Sequence, residues 1–406
     1  MPSAEPLVYN PYLPGVRADP YPHYADLRRE APIHWSPAGF WVFARYRDGA
    51  EILGDRSFAM TEPRQWGNAA AFEYEGPAFE RVVDSLSHMM LFKNPPDHTR
   101  LRGLVSKAFT PRAVEGLRDR IREIVGELVS AVREAGRMDL IADLAYPLPA
   151  MVIAEMLGVP AEDRGRFRAW SRDLAPTIDP MILPDQLERA AAAIDQFADY
   201  FAHLIAARRA EPRGDLLSAM IAAEEQGDKL SQDELVVNAM LLLNAGHETT
   251  TNLIGNGTLA LLRNPDELDL LRRERARIPG AIEELLRYDS PVQMTGRRTR
   301  TERVIGGTKI EAGQHVLVLI GSANRDPERF ADPERLDVRR GDDEHLSFGG
   351  GSHYCLGASL ARLEGQIAIG AIVSELPKLQ LAAEELEWRE TLTLRGLKAL
   401  PVEFRS

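Results

Sequence analysis

The sequence predicts a mainly α-helical protein with minor β structure, built as a single large domain around one long central helix. Apolar residues recur with the 3.6-residue period of helices over most of the 406-residue chain. Aromatic and β-branched clusters typical of strands are confined to two regions. No internal repeat, low-complexity tract or Gly/Ser-rich linker marks a boundary, so we expect residues 1–406 to form one domain.

The predicted elements follow from local patterns. Residues 33–36 and 40–44 flank Pro37-Ala38-Gly39 and predict a β-hairpin. A second β region extends from Arg298 through two glycines to residue 320. Helices are predicted over residues 97–107, 111–135, 145–157, 187–209, 266–272, 277–288 and 356–376.

The central helix has the clearest signals. Ser231 and Glu234 form a capping-box pattern, and no proline follows until Pro265. The run of some 33 residues corresponds to about 50 Å of helix. Its first half is apolar on nearly every side, which indicates a buried helix. Glu248 beside Thr249 in such a helix needs either a partner or a function, because burying a charge is costly.

Charge and composition exclude several classes of protein. The chain carries 49 basic and 61 acidic residues, a net charge of −12, which argues against nucleic-acid or anionic-membrane partners. The first residues lack a basic start followed by an apolar run, and no apolar stretch approaches the roughly 20 residues of a membrane span. We therefore expect a cytoplasmic protein.

Cys355 is the single cysteine, so any thiol chemistry belongs to this residue. Three glycines precede it and allow a close backbone approach to a ligand, and a predicted helix follows it. The helix N-terminus favours thiolate over thiol, as either a nucleophile or a metal ligand requires. A metal held by one thiolate needs its other ligands from elsewhere, for example from a macrocycle.

Three motifs resemble those of the cytochrome P450 family. Residues Phe348 to Gly357 fill every fixed position of its heme-binding loop, F-G-x-G-x-H-x-C-x-G. Residues Ala245 to Thr250 resemble the A-G-x-E/D-T-T motif of its long central helix, and Glu284 to Arg287 resemble its E-x-x-R motif. Weaker matches extend the resemblance over nearly the whole chain, which implies the mainly α fold of that family.

The resemblance implies roles for individual residues. Cys355 would ligate the iron of heme b (iron protoporphyrin IX), and Glu284 with Arg287 would have a structural role. Thr249 and Glu248 would deliver protons, whereas His247 is expected to face outward from the helix. The implied heme-propionate partners are His98, Arg102, Arg298 and His353, and the other implied heme contacts are Ala245, Phe348, Gly349 and Gly357.

The implied reaction is insertion of one oxygen atom from O2 into an apolar small molecule by hydroxylation or epoxidation. Terpenoids, steroids and polyketides of secondary metabolism are substrates of this kind. Aromatic and apolar side chains in residues 60–93 and 167–182, including Trp66, Phe72 and Tyr74, are candidates for the cavity wall. Asn244, a polar residue within a run of leucines, is a candidate substrate contact.

Electrons would come from a separate protein, because nothing in the sequence resembles a fused reductase. Residues 98–122 carry seven basic and two acidic side chains, a local charge of +5. The resemblance places this segment on the cysteine side of the heme. An acidic ferredoxin, served by an NAD(P)H-dependent reductase, is therefore the expected electron donor.

Alternative functions remain open at this point. One is a peroxide-driven or non-oxygenating heme-thiolate enzyme, and another is a non-catalytic heme sensor; neither needs the pair of Glu248 and Thr249. A cysteine-nucleophile hydrolase would need a histidine base near Cys355. His353 is a poor candidate for that base if it points at a propionate.

Overall fold

The computed structural model describes residues 7–65, 75–179, 182–225 and 230–405, and α-helices dominate this part of the chain. In chain order the helices are α1 (Tyr21–Glu30), α2 (Tyr46–Gly54), α3 (Pro77–His88), α4 (Asp97–Val105), α5 (Pro111–Glu115), α6 (Arg118–Arg133), α7 (Pro147–Met156), α8 (Phe167–Leu174), α9 (Pro184–Ala210), α10 (Leu216–Glu225), α11 (Gln232–Arg263), α12 (Pro265–Arg273), α13 (Ile278–Tyr288), α14 (Ile320–Ala323) and α15 (Ala358–Glu375). The predicted mainly α fold class is confirmed.

Helix α11 is the predicted central helix. It begins with the expected capping box: the Ser231 hydroxyl accepts from the Glu234 N–H at 3.1 Å, and the Glu234 carboxylate accepts from the Ser231 N–H at 2.9 Å. It ends before Asn264 and Pro265. Helices α7, α9, α13 and α15 pack around it. Buried side chains on all of its sides therefore place its middle turns in the core.

The strands form small sheets at the periphery. They are β1 (Ile33–Ser36), β2 (Phe40–Phe43), β3 (Phe58–Ala59), β4 (Arg137–Asp139), β5 (Thr295–Thr299), β6 (Arg303–Ile305), β7 (Thr308–Ile310), β8 (His315–Val318), β9 (Gln380–Leu381) and β10 (Pro401–Glu403). One sheet has the order β1-β2-β8-β5-β3, a second β4-β10-β9, and a third pairs β6 with β7. The hairpin is confirmed, and β2 pairs in parallel with β8.

Several boundaries differ from the prediction. The helix expected over residues 111–135 is divided into α5 and α6 around Gly116, whose lack of a side chain weakens a helix. The sheet of β4, β10 and β9 was not predicted, because its strands have only two or three residues and their partners are far apart in the sequence. No helix among the described residues is long and apolar enough to cross a membrane.

Candidate functional site

Two adjoining cavities lie beside the middle of α11. The inner cavity has a volume of about 310 Å³ and contains Cys355 in its wall, and the outer cavity has a volume of about 340 Å³. Residues that line both cavities are Met60, Leu91, Leu241, Ala245, Thr249, Val292, Thr295 and Arg297. The shared wall makes the two cavities one continuous site.

The loop before α15 presents Cys355 to the inner cavity. The Cys355 N–H donates to the Phe348 carbonyl at 2.9 Å, which closes the loop into a compact turn. Gly349 has φ +69° and Gly351 has φ +61°, both in the left-handed region that favours glycine. A Cβ on Gly351 would lie 2.3 Å from the Leu53 carbonyl oxygen. Gly351 therefore allows both the backbone conformation of the loop and its close packing against the end of α2.

Two opposing effects act on the pKa of the Cys355 thiol. Burial raises the pKa of the thiol, whereas the Gly357 backbone N–H and the charges of Arg102 and Arg362 lower it. The side chain faces the inner cavity. A cation bound in that cavity would favour the thiolate further.

Cationic and imidazole side chains gather at one end of the inner cavity. His98, Arg102, Arg297 and His353 all line it, and the His98 and His353 rings lie 4.0 Å apart between centroids. Burial, then the charges of His98, Arg297 and Arg102, lower the pKa of His353 to about 3. Arg102 donates to the Tyr354 carbonyl at 2.7 Å. This cluster contains no carboxylate, so its positive potential suits an anionic ligand.

Arg297 is the most informative member of the cluster. It is buried, and burial lowers its pKa to about 10. Its guanidinium donates to the Thr295 hydroxyl at 2.9 Å and to the Gly296 carbonyl at 2.7 Å, and it has no ion pair among the described residues. Burying an unpaired guanidinium is costly. A bound carboxylate would relieve that cost.

The assignment of Arg298 to this cluster is corrected by the structure. Arg298 does not line either cavity, and its guanidinium donates to the Gly313 carbonyl at 2.9 Å and to Gln65 at 3.3 Å. Successive residues of β5 point to opposite faces, so Thr295 and Arg297 face the cavity and Arg298 faces away. Of the two adjacent arginines, Arg297 and not Arg298 therefore lines the inner cavity.

The central helix forms the opposite wall. The Thr249 hydroxyl donates to the Ala245 carbonyl at 3.2 Å and borders both cavities. Glu248 is 4% exposed, lines the outer cavity and forms an ion pair with Arg389. A Cβ on Gly246 would lie 2.7 Å from Ile153 of α7, so this glycine allows the two helices to approach. The helix remains α-helical throughout this turn.

The comparisons identify the kind of protein to which this site belongs. The Cytochrome P450 family model matches residues 64–377. The chain belongs to the cytochrome P450 family. It is 44% identical to cytochrome P450 monooxygenase PikC of Streptomyces venezuelae over 398 residues, covering 96% of this chain and 92% of that protein. It is 40% identical to 6-deoxyerythronolide B hydroxylase of Saccharopolyspora erythraea over 398 residues, covering 95% of this chain and 96% of that protein.

A solved structure agrees over the same extent. P450BioI, in complex with an acyl carrier protein ligated to hexadec-9Z-enoic acid, superposes with a TM-score of 0.89 at 40% identity, covering 96% of this chain and 99% of that one. This P450 is therefore a heme-thiolate monooxygenase that uses heme b, O2 and redox partners. The inner cavity fits that cofactor, because its buried, unpaired Arg297 and the adjacent histidines match a porphyrin carrying two carboxylates.

Glu284 and Arg287 lie behind the cavities in a fully buried network. Arg287 donates to the two Glu284 carboxylate oxygens at 2.7 and 2.9 Å, and to the carbonyls of Asn324 and Pro333, both at 2.9 Å. Arg340 adds a further bond to Glu284 at 3.0 Å. This pair of the P450 ties α13 to the segment that precedes the cysteine loop. It is a buried anchor and not the surface pair that its spacing alone would suggest.

The expected outward orientation of His247 is wrong. The side chain is 1% exposed and packs edge-on against the Tyr146 ring, with ring centroids 5.4 Å apart. It lines neither cavity, which agrees with the expectation that its side chain points away from the side of the helix that carries Thr249. The helix is covered by α7 and the turn before it on this side, so a direction away from the cavity still leads into the core.

Two further residues of this site were missed by sequence analysis. Arg297 lies on the same face of β5 as Thr295 and Thr299, because alternate residues of a strand share a face. That alternation was the signal in the sequence that could have identified it. Glu364 of α15 is 1% exposed and lines the inner cavity. Burial raises its pKa to about 8, and the nearby Thr250 hydroxyl offsets only part of that rise. A glutamate within the apolar stretch of residues 356–376 was its signal in the sequence.

The outer cavity contains part of the predicted apolar wall, including Leu91, Phe92 and Ile178. Ile178 and Leu241 line it, together with Asn244, whose amide oxygen is buried without a hydrogen-bond partner among the described residues. Trp66, Phe72 and Tyr74 of the predicted wall lie outside the described residues. The placement of Asn244 agrees with its candidacy as a substrate contact.

Proposed function

We propose that this P450 inserts one oxygen atom of O2 into an apolar small molecule, by hydroxylation or epoxidation, with Cys355 as the iron ligand. The observation that carries the proposal is that Cys355 and Thr249 line one cavity, a thiol on one wall and a proton-carrying hydroxyl on the other. Heme b, when bound, supplies the oxidising chemistry. His98, Arg102, Arg297 and His353 would hold its carboxylates; Phe348, Gly349 and Gly357 would contact it from the cysteine loop, and Ala245 from α11.

We infer that Glu248 and Thr249 move protons to the cavity. The Thr249 hydroxyl uses its proton in a bond to Ala245, so its oxygen lone pairs are free to accept a proton. Glu248 precedes Thr249 in the helix and lines the outer cavity with it. In the transfer, the protonated Glu248 carboxyl would give its proton to the Thr249 oxygen, and the original hydroxyl proton would leave its bond to the Ala245 carbonyl for the cavity. The threonine would end unchanged, and Glu248 would end as a carboxylate.

The outer cavity favours a medium or large apolar substrate. The surface of its wall is mainly apolar, which supports a terpenoid, steroid or polyketide of secondary metabolism. The name of the Saccharopolyspora relative, 6-deoxyerythronolide B hydroxylase, supports the same size class. The unpartnered amide oxygen of Asn244 would accept a hydrogen bond from a hydroxyl of the substrate. 6-Deoxyerythronolide B is therefore a reasonable first probe.

We also propose a separate ferredoxin with its NAD(P)H reductase as electron donor, acting on a single-domain cytoplasmic enzyme. Several cations of the basic segment are already paired within the chain; Arg118 binds Glu115, and Arg120 binds Glu155. Lys107 and Arg112 are exposed and have no ion pair among the described residues. These two residues are the best candidates for contact with an acidic partner.

Charge reversal tests the docking surface. Arg112→Glu should slow reduction by an acidic ferredoxin, most strongly at low salt, because charges are screened over about 10 Å at 0.1 M. Arg189→Glu on α9 serves as a charge-matched control and should leave reduction unchanged. Equal reduction rates in Arg112→Glu and wild type across the salt range would contradict this docking surface.

The proposed reaction is tested by isotope labelling. Compounds that shift the Soret band of the purified holoenzyme are selected first, and each is then incubated with NAD(P)H, ferredoxin, reductase and ¹⁸O2. One ¹⁸O atom in the product, found by mass spectrometry, is the expected result. Product formed only with added peroxide would favour the peroxide-driven alternative. Spectral binding without any product would favour a heme sensor.

A further inference from the structure

Unpartnered polar atoms of Tyr146, His247, Thr251 and Asn252 are concentrated around α11 beside Glu248, whose carboxylate lines the outer cavity. We call the group made of Tyr146, His247, Glu248, Thr251 and Asn252 the polar seam. The Tyr146 hydroxyl, His247 Nε2, Thr251 Oγ1 and both amide atoms of Asn252 are buried with no hydrogen-bond partner among the described residues. Buried polar atoms are nearly always paired, and ordered water supplies the partner where protein does not. Their concentration at one place therefore indicates internal water.

The seam extends from the protein surface to the proposed proton donor. The exposed Arg168 guanidinium lies 4.9 Å from the centroid of the Tyr146 ring, and that ring packs against His247. His247 Nε2 is in turn 3.9 Å from Glu248 Oε2. Thr251 and Asn252 follow one helical turn after His247 and Glu248, so they lie on the same sides of α11. Polar atoms thus continue from Arg168 inward to the carboxyl that lines the outer cavity.

The hydrogen bonds of His247 and Glu248 fix which atoms face the seam. His247 Nδ1 lies 2.8 Å from the Leu243 carbonyl, so Nδ1 must carry the proton and Nε2 has a free lone pair. Burial lowers the pKa of His247 to about 4, so the ring is neutral at pH 7. Arg389 binds Glu248 Oε1, which leaves Oε2 toward His247. Two acceptors, Nε2 and Oε2, then lie near each other and require a donor such as water.

We propose that the polar seam holds ordered water that supplies protons to Glu248, and that His247 is a positioning residue that keeps this water hydrogen-bonded. The proposal rests on the proposed role of Glu248. Water beside His247 Nε2 gives a proton to Glu248 Oε2 and receives one from the next water toward Arg168. One proton enters from solvent for each proton that Glu248 releases to the cavity. His247 does not change its own protonation state, because Nδ1 stays bonded to Leu243.

A high-resolution crystal structure of the wild-type holoenzyme tests the water directly and does not depend on activity. We expect an ordered water within hydrogen-bonding distance of His247 Nε2 and a second at the Tyr146 hydroxyl. A seam without water would overturn the proposal. The same outcome would leave the proposed monooxygenase reaction untouched.

Variants of His247 test the supply of protons. In His247→Phe a ring of similar size fills the site without an acceptor, and the product formed per NAD(P)H should fall about tenfold, the scale typical of outer-shell partners. The solvent deuterium isotope effect on turnover should rise, which a purely structural role would not cause. His247→Gln, which keeps an acceptor, should restore much of the coupling. Tyr146→Phe should lower coupling by a smaller factor.

Ser85→Ala provides a matched control, because its hydroxyl is also buried and unpartnered but lies on α3, which contributes no residue to the seam. It should behave as wild type. A fully coupled His247→Phe enzyme with an unchanged isotope effect would overturn the positioning role. A wild-type enzyme that forms no product from O2 would instead refute the proposed function, so the two failures are distinguishable.

Discussion

Thr249→Ala separates a proton-delivering threonine from one that only bonds to its own helix. The change removes the hydroxyl that borders both cavities and leaves the cysteine loop untouched. Substrate binding, measured by the shift of the Soret band, should survive. NAD(P)H should still be consumed, but reducing equivalents should appear as hydrogen peroxide and not as product.

The structure sets the expected magnitudes. The bond from the Thr249 hydroxyl to the Ala245 carbonyl is 3.2 Å long, and a bond of this kind contributes about 0.5–1.5 kcal/mol to stability. Alanine has the higher helix propensity by up to about 0.7 kcal/mol, which offsets part of that loss. The fold should therefore remain intact. Loss of a positioned proton-transfer group costs on the order of 10²–10⁴ in the step that it serves, so the loss of coupling should be large.

The assay compares product, peroxide and NAD(P)H in substrate-saturated enzyme with the same redox partners. Thr258→Ala is the matched control, because the Thr258 hydroxyl donates to the Ile254 carbonyl at 2.7 Å on the same helix but lines neither cavity. It should remain coupled even if it is less stable. Full coupling in Thr249→Ala would refute the reasoning and assign Thr249 the same local role as Thr258.

Three further predictions address the iron ligand, the buried anchor and the acid of α15. Cys355→Ser should abolish the red-shifted thiolate band of the reduced CO complex; a variant that keeps the band would exclude Cys355 as ligand. Arg287→Met should lower the free energy of unfolding by about 3–5 kcal/mol, because Glu284 loses its main partner. A loss below about 1 kcal/mol, as expected for Arg277→Met in the exposed pair with Glu274, would contradict a tightly coupled anchor. Burial raises the pKa of Glu364 to about 8, so folding favours its protonated form. The free energy of unfolding should therefore fall as the pH rises from the unfolded pKa near 4.5 to pH 8, by up to about 1.4 kcal/mol per pH unit. Glu364→Gln should remove that dependence, and parallel curves of unfolding free energy against pH for wild type and Glu364→Gln would refute the assignment.

Features encoded by neighbouring residues could be predicted from the sequence. The start of α11 depends on Ser231 and Glu234, which contact each other within one turn, and its end depends on Pro265. The loop around Cys355 is equally local, since its shape rests on nearby glycines and one backbone bond to Phe348. Such elements can be predicted from a short stretch of sequence, because their structure depends little on the packing of distant residues.

Features that depend on distant partners could not be predicted in the same way. The choice between Arg297 and Arg298 is set by which face of β5 is covered, and that depends on pairing with β8 and β3. Burial of Glu284 and Arg287 depends on carbonyls some 40 residues later, whereas their spacing alone is typical of a surface pair. His247 was misplaced for the same reason, because its surroundings include Tyr146 from the turn before α7.

Buried charges in this chain differ in whether the protein itself provides their partners. Arg287 meets Glu284 and several carbonyls, and Arg395 meets Asp289 at 2.8 Å, so both guanidiniums are satisfied by the fold. Arg297 has no such carboxylate, and Glu364 has no ion pair among the described residues and only the Thr250 hydroxyl nearby. Burying these groups is unfavourable, and contacts within the chain do not compensate for the lost hydration. A bound ligand, water or a transferred proton must therefore compensate for it. Both groups line the inner cavity, so the physical cost of burial points to the same site as the motif around Cys355, through residues that the motif does not contain.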